Sequence, residues 1–406
     1  MISVAEADRL LAQQPFPGGS ETVPLGEAVG RVLAHSVSAD RDGPPYPRVT
    51  MDGYAVQSSD ARQEWVVEGF QRAGQPPLRR TRAGTAVEVA TGAVLPEGCD
   101  AVIPYEHTRL SGDAVSQLPD LPLPSAGANI QPQGSAYRRG EVFLTSGTRL
   151  RSPHLHSLAS VGLDPVMVVR RPFWAVVATG DELVEVAEQP QAWQIRRSNA
   201  VAIEGEARAW GLVPRTQAAL PDDRHRLTQG LGALLPGLDV LVITGGVSAG
   251  VLDLVPAALS DLGVQPLFHK IAQRPGKPLW CGRLASGTLV FGLPGNPVSS
   301  LFAFRRYVLP WLLAAEGRPL PDRRVTVPGL PEPQDGMTLF LPWSEESGLL
   351  DWKGSGDFAA LAASTGFLEI GGRGDQPRYH PWGTGMGGCS PDQEGRSLVL
   401  PASKSR

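Results

Sequence analysis

Acids and glycines recur together at three places in this chain. Residues 239–253 read DVLVITGGVSAGVLD, an apolar run followed by a glycine-rich turn and then Asp253. Residues 174–183, WAVVATGDEL, run into a Thr-Gly turn and the acids Asp181 and Glu182. Residues 288–300, TLVFGLPGNPVSS, run into a third glycine turn, where Asn296 is placed to cap a helix and Pro297 to take its first position. Glycine leaves backbone amides bare, which suits a phosphate-like anion, and a carboxylate just beyond suits a metal accompanying that anion.

Asp222 and Asp223 join Asp181, Glu182 and Asp253 at predicted strand ends or first helical turns. Carboxylates converging in this way repel one another unless a cation sits among them, and oxygen donors of this kind select Mg2+. Taken singly, Asp222 or Asp223 reads equally well as a helix cap and Asp181 as a turn residue. The segment Arg274-Pro275-Gly276-Lys277-Pro278 carries the opposite charge. Its two cations, three residues apart in a proline-stiffened loop, form an oxyanion clamp with little entropy to lose, where the plainer reading is a solvated surface loop.

The elements that position these groups follow from the pattern between them. From 172 to 317 the chain alternates strand and helix, with strands at 174–178, LVPRTQAAL, 240–244, VQPLFHKIA and an edge hairpin turning at 285–287. Ser198 is placed to cap one helix and Asp222 or Asp223 the next; a helix at 255–262 and another after Pro297, kinked at Pro310, complete the set. Such alternation requires a mostly parallel sheet covered on both faces, with its turns gathered at the carboxyl ends of the strands. Upstream, an amphipathic helix at 4–13 and a second near 25–33 precede a proline-rich turn region at 41–56. Short alternating runs over 65–129 predict an antiparallel β domain, and Ser152-Pro153 opens a helix ending at Gly162. After the proline-rich boundary beyond 317 a small β barrel or sandwich is expected up to Ile370, then a loosely held Gly-, Pro- and Ser-rich tail.

Composition narrows the partners. The 406 residues suffice for more than one core, and 37 basic against 41 acidic side chains leave no basic face for nucleic acid or anionic membrane. Cys99, Cys281 and Cys389 are odd in number and scattered, against a disulfide framework or a cysteine zinc site. No run reaches the length of a membrane helix and no signal pattern opens the chain, so a cytoplasmic protein is expected.

In order and spacing, MDGYAV, TGAVLPEGCDAVIPYE, NIQPQGSAYRRGEV, ATGDEL, QIRRSNA, PDD, ITGGVSAGVLD, RPGKP and GLPGNPVS resemble the molybdopterin molybdenumtransferase family, MoeA and the related E domain of gephyrin. The likeness covers roughly 25–313 and continues more weakly through WKGSGDFAALAASTGFL. It implies a multidomain α/β plus β fold: a linker and dimer domain (1–44 and 140–170), an inserted β domain (45–139), a doubly wound α/β molybdopterin-binding domain (171–318) and a C-terminal barrel-like β domain (319–406). It also implies a homodimer whose substrates are adenylated molybdopterin and molybdate, which releases AMP with Mg2+, and it makes the molybdopterin adenylyltransferase a candidate partner. Carried over by position, Asp52, Thr91, Glu182, Asp222 and Asp253 are catalytic, the last three holding the metal. Gly180, Ser198, Asn199, Thr244, Gly245, Gly246, Ser248, Pro294, Gly295, Asn296 and Pro297 contact the pterin substrate, and Arg274, Lys277 and Ser355 contact molybdate. Ser135 and Ala136 stand where the family usually carries an acidic pair, and the closing strands expected after Ile370 are not evident. The alternative function is that of an impaired or tungstate-handling paralogue that binds pterin as a scaffold.

Overall fold

Three neighbouring parallel strands are buried at every position: β1 (Trp174–Thr179), β3 (Val240–Thr244) and β6 (Leu289–Leu293). A strand apolar on both faces needs cover on both, and the computed structural model supplies it. It describes residues 1–16, 18–247, 254–334, 336–372 and 375–384, together with the short strand Leu398–Val399. With β2 (Thr216–Leu220), β4 (Gln265–His269) and β5 (Trp280–Arg283), these strands form a six-stranded sheet of order β2-β1-β3-β6-β5-β4. The pairs β1/β2, β1/β3 and β3/β6 are parallel, whereas β5 runs antiparallel to both β6 and β4.

Alternate strand residues fill two separate cores. Trp174, Val176, Val240, Val242, Leu289 and Phe291 face one layer, in which α1 (Val4–Ala12) buries Val4, Ala7 and Leu11 and α2 (Ser198–Ala209) buries Ala200, Ile203 and Ala207. Ala175, Val177, Leu241, Ile243 and Val290 face the other, under α3 (Arg224–Leu234) and α4 (Val255–Asp261). The helix after Pro297 is not simply kinked at Pro310. It runs as α5 (Pro297–Ala303), widens into a π turn over Phe304–Val308 and resumes as α6 (Leu309–Ala315). Pro310 has no N–H to return to the carbonyl of Arg306, and the wider turn takes up the mismatch.

Beyond it lies a second sheet in which Gln273–Arg274, β7 (Thr338–Ser344), β8 (Gly366–Ile370) and β9 (Arg378–Pro381) follow in that order. The expectation of a loose tail without closing strands fails at β9. Its Tyr379 and Pro381 are buried against β8, a two-position pattern too short to stand out in a glycine-rich stretch. Val298 and Phe302 of α5 meet Phe340 and Phe367 of these strands, with the Phe302 and Phe367 rings stacked 4.2 Å apart.

The chain divides into two compact units, Met1–Glu21 with Val169–Arg406, and Thr22–Val168. The second contains a six-stranded sheet in which all neighbours are antiparallel except Glu64–Gln71 with Thr85–Val89. That parallel pair departs from the expected antiparallel meander because the connection 72–84 is long enough for a crossover. The helix expected near 25–33 is only a 3-10 turn, Leu25–Glu27, since Gly26 and the left-handed Gly30 (φ +80°) interrupt it. Helix Ser152–Ser160 forms as expected, burying Leu158 beside Leu33, Leu150 and Val168. Cys99 and Cys281 are buried free thiols, and burial raises the Cys99 thiol to about 12, so neither is a reactive thiolate. Among the described residues no helix is long and apolar enough to cross a membrane.

Candidate functional site

The turns that follow the parallel strands lie side by side. After β1, the Gly180 amide donates to the carbonyl of Leu220 at the end of β2, and Asp181 Oδ1 accepts the amide of Asp222 at 3.1 Å. On the other side, Thr179 closes against the turn after β3. A side chain on Gly245 (φ +98°) would come within 2.5 Å of the Thr179 carbonyl, and one on Gly246 (φ +61°) within 2.7 Å of Val255. Glycine is therefore required at both positions by close approach as well as by conformation. The amide of Gly245 donates to Leu293, which brings in the turn after β6, and Gly295 packs on Gly245.

That last turn is tied from two directions. Asn199 donates to the carbonyl of Gly295 at 2.7 Å, docking the start of α2, while Asn296 donates to the Ser355 hydroxyl at 2.8 Å. Ser355 also accepts the Val298 amide through its carbonyl, so its segment sits on the first turn of α5. Asn296 is the N-cap residue of α5, but its side chain is spent on Ser355 rather than on the helix. Ser198 is corrected likewise: it is the first helical residue of α2, behind Arg197, because the turn is already fastened by Asn199. Of the two candidate caps for α3, Asp223 holds the position and accepts the Arg226 amide.

The cationic loop reaches the same helix. Arg274 and Lys277 are both exposed, and a Cβ built on Gly276 between them would lie 3.7 Å from the carbonyl of Ser299 in α5. The loop is braced from beneath by Gln273, which is 1% exposed and whose side-chain amide donates to the carbonyls of Pro275 and Gly276. Gln273 in turn accepts from the hydroxyl of Tyr307, on the π turn. Neither Gln273 nor Tyr307 stands out in the sequence, since a glutamine entering a short strand and a tyrosine in an apolar helix both read as ordinary packing. Thr179 was also missed; its buried hydroxyl has no hydrogen-bond partner among the described residues, at the foot of the Gly245 turn. A polar β-branched residue closing an apolar strand before Gly-Asp is the signal that marks it.

Glu182 is exposed and folds back over Gly180. Ser248 and Asp253 lie outside the described residues. Among the described residues no three His, Cys, Asp or Glu side chains gather as a metal site, so the expected set of Glu182, Asp222 and Asp253 is represented by its first two members. Asp52 and Thr91 belong to the other unit, where the Asp52 carboxylate accepts the Thr91 amide at 2.6 Å. That hydrogen bond holds the Asp52 carboxyl below its usual range.

Known proteins resemble the chain over most of its length. Residues 2–162 match the MoeA N-terminal region (domain I and II), and residues 175–314 match the probable molybdopterin binding domain. The chain is similar to a Synechocystis protein named molybdopterin molybdenumtransferase, with 36% identity over 91% of this chain and 95% of that relative. A Haemophilus influenzae protein of the same name is 35% identical over 78% of each chain. A solved structure, titled as a molybdopterin biosynthesis moea protein from Pyrococcus horikosii, superposes with a TM-score of 0.78 at 28% identity over 95% of this chain and 97% of that one. The likeness thus runs through both units, from the Asp52 turn to the Ser355 segment, and the chain belongs to the MoeA family.

Proposed function

We infer that the chain is a molybdopterin molybdenumtransferase, joining molybdate to the dithiolene of adenylated molybdopterin with release of AMP. The observation that carries this reading is the contiguous row of glycine turns at the strand ends, flanked by carboxylates on one side and by the Arg274–Lys277 loop near α5. A pyrophosphate-linked substrate needs bare amides, which among the described residues Gly246 and Gly295 offer, the Gly180 and Gly245 amides being engaged by Leu220 and Leu293; the Thr179 hydroxyl, unpartnered among the described residues, adds a polar atom beneath them. Molybdate, a small dianion, needs fixed cations. Arg274 and Lys277 supply them on a loop whose carbonyls are already engaged by Gln273, so little ordering remains to be done on binding.

The remaining roles are proposals supported by the chemistry of the donors. Glu182 and Asp222 offer exposed or half-exposed carboxylate oxygens, the type that Mg2+ takes, and Asp253 is the proposed third. Bound there, Mg2+ would neutralise charge developing on the phosphate link. Glu182, Asp222 and Asp253 would hold the ion, Asp181 would fix the Asp222 turn, and Asn199 and Ser355 would keep the Gly295–Asn296 turn open to the substrate. We further propose a cytoplasmic homodimer, in which the Asp52–Thr91 pair of one protomer serves the pocket of its partner, and delivery of substrate by a molybdopterin adenylyltransferase.

The test is release of AMP from adenylated molybdopterin on addition of molybdate and Mg2+. Stoichiometric release coupled to metal insertion is expected. Tight binding of the pterin with no AMP released under any of these conditions would leave a scaffold protein in place of an enzyme.

A further inference from the structure

A second cavity lies away from the strand-end turns. The π turn makes two consecutive arginines, Arg305 and Arg306, point inward, 3% and 8% exposed respectively. With Trp210, Pro310, Leu320, Arg323, Arg378 and His380 they line a cavity of about 250 Å3. Helix α2 starts beside the Gly295 turn and spans 12 residues before reaching Trp210, so the cavity stands roughly 18 Å from that turn along the helix.

The charges within it are unequally committed. Arg306 is fully engaged, through Nε and Nη2 with Glu369 and through both terminal nitrogens with Asp8. Arg378 pairs with Asp322 at 3.1 Å. Arg305 Nε donates to the Pro381 carbonyl and lies 3.3 Å from Glu206, but among the described residues its buried Nη1 meets no acceptor, and the buried Arg378 Nε likewise makes no hydrogen bond. Glu206, the nearest carboxylate, accepts from Trp210 and from the Gly383 amide rather than from Arg305 Nη1. Among the described residues Arg323 carries no ion pair, and its charge raises the positive potential felt by Arg305. Burial lowers the Arg305 guanidinium only to about 10, so it remains charged at neutral pH, whereas burial lowers His380 to about 4 and leaves a neutral ring in the wall. A buried, charged donor without an acceptor is costly, and a cavity near the lower bound of roughly 300 Å3 for ligand sites has room to bring one.

We infer that this cavity binds a compact phosphate-type oxyanion, free or as the terminal group of a small molecule, through Arg305 Nη1 and Arg323, with Arg378 at its side. The Trp210 ring and the prolines form the apolar wall that such a molecule's remaining atoms would meet. This inference is independent of the transferase activity, since none of the residues assigned to that reaction lines the cavity.

Because phosphate also suits the Arg274–Lys277 clamp, the titration is made on the full chain carrying Arg274→Ala and Lys277→Ala. Calorimetry with inorganic phosphate should then still show one saturable site. Adding Arg323→Ala should weaken it about tenfold or more, and Arg305→Met should abolish it. Should Arg305→Met fail to fold, Arg323→Ala, on the half-exposed wall, decides alone. Ribose 5-phosphate binding more tightly than phosphate identifies a monoester as the ligand class; equal binding identifies the free ion. Absence of saturable phosphate binding once the clamp is removed, or binding indifferent to Arg323→Ala, overturns the proposal.

Discussion

At the scale of single residues, the cations and their braces make separable predictions. Replacing Lys277 by Ala removes one cation of the proposed molybdate clamp and should raise the molybdate concentration at half-maximal AMP release about 10- to 100-fold. An unchanged molybdate dependence would remove Lys277 from the clamp. Tyr307→Phe deletes the hydroxyl that holds Gln273. As a positioning residue it should raise the KM for molybdate while the Mg2+ dependence and the KM for the pterin stay put; a uniform loss across all three would mark it as merely structural. A third residue-scale prediction concerns pH. Burial lowers His380 to about 4 against an unfolded value near 6.5, although Glu369 opposes the shift. The folded state therefore resists a proton that the unfolded chain accepts, and stability present above pH 6.5 falls as the pH drops towards 4, by on the order of 3 kcal/mol. Glu369, which burial pushes up but the Arg306 charge and the hydrogen bonds from His380 and Arg306 together hold well below its usual range, adds a further loss below about pH 4.5. Urea melts between pH 7 and 4 measure the first part, and His380→Asn should flatten it.

At the scale of elements, the glycine turns are the sharpest test. Gly245→Ala places a methyl group 2.5 Å from the Thr179 carbonyl at a φ of +98°, a strain of about 1–3 kcal/mol that should lower both thermal stability and pterin binding. Gly205→Ala in α2 meets nothing within 4 Å and should stabilise by about 0.4–1 kcal/mol. Equal melting temperatures for the two variants would refute the close-packed turn. These elements were legible in the sequence for a physical reason: WAVVAT, VLVIT and LVFGL are apolar up to the threonine that closes the first two because helices cover both faces, and the turn after each is marked by glycine. A cap at Asp222 or Asp223 and a hairpin turning at 285–287 were legible from equally local chemistry, although the hairpin expected at the edge lies inside the sheet, with β4 outside it. What stayed hidden depends on distant partners. Arg306 meets Glu369 across 63 positions and Asp8 across 298, and in a helical sequence two arginines read as a solvated face. The π turn that sends both inward has no hydrophobic period, and β9 shows only two buried positions.

At the scale of the whole molecule, the division into units breaks the order of the chain. Helix α1 belongs with Val169–Arg406, although Thr22–Val168 intervenes. Its Val4 and Leu11 bury in the sheet core, at about 1.5–3 kcal/mol each, and Asp8 adds a pair of hydrogen bonds to Arg306. Deleting residues 1–13 should therefore destabilise the α/β unit by several kcal/mol, seen as a lowered urea midpoint for Trp fluorescence. A midpoint equal to that of the full chain would show that α1 contributes nothing there. Thr22–Val168, continuous and with cores of its own around Leu158, Trp65 and Val102, is expected to melt cooperatively when produced alone.

The same arrangement sets a timetable during synthesis. The first helix leaves the ribosome with its apolar stripe exposed, and the distant polar partners of its segment, from Lys270–Ala272 to Arg306, are translated only some 270 to 298 residues later. The inserted unit can close while it waits, so the protein matures from the middle outward, and the stretch of its life most open to aggregation or chaperone capture falls between the completion of Val168 and the arrival of Leu313.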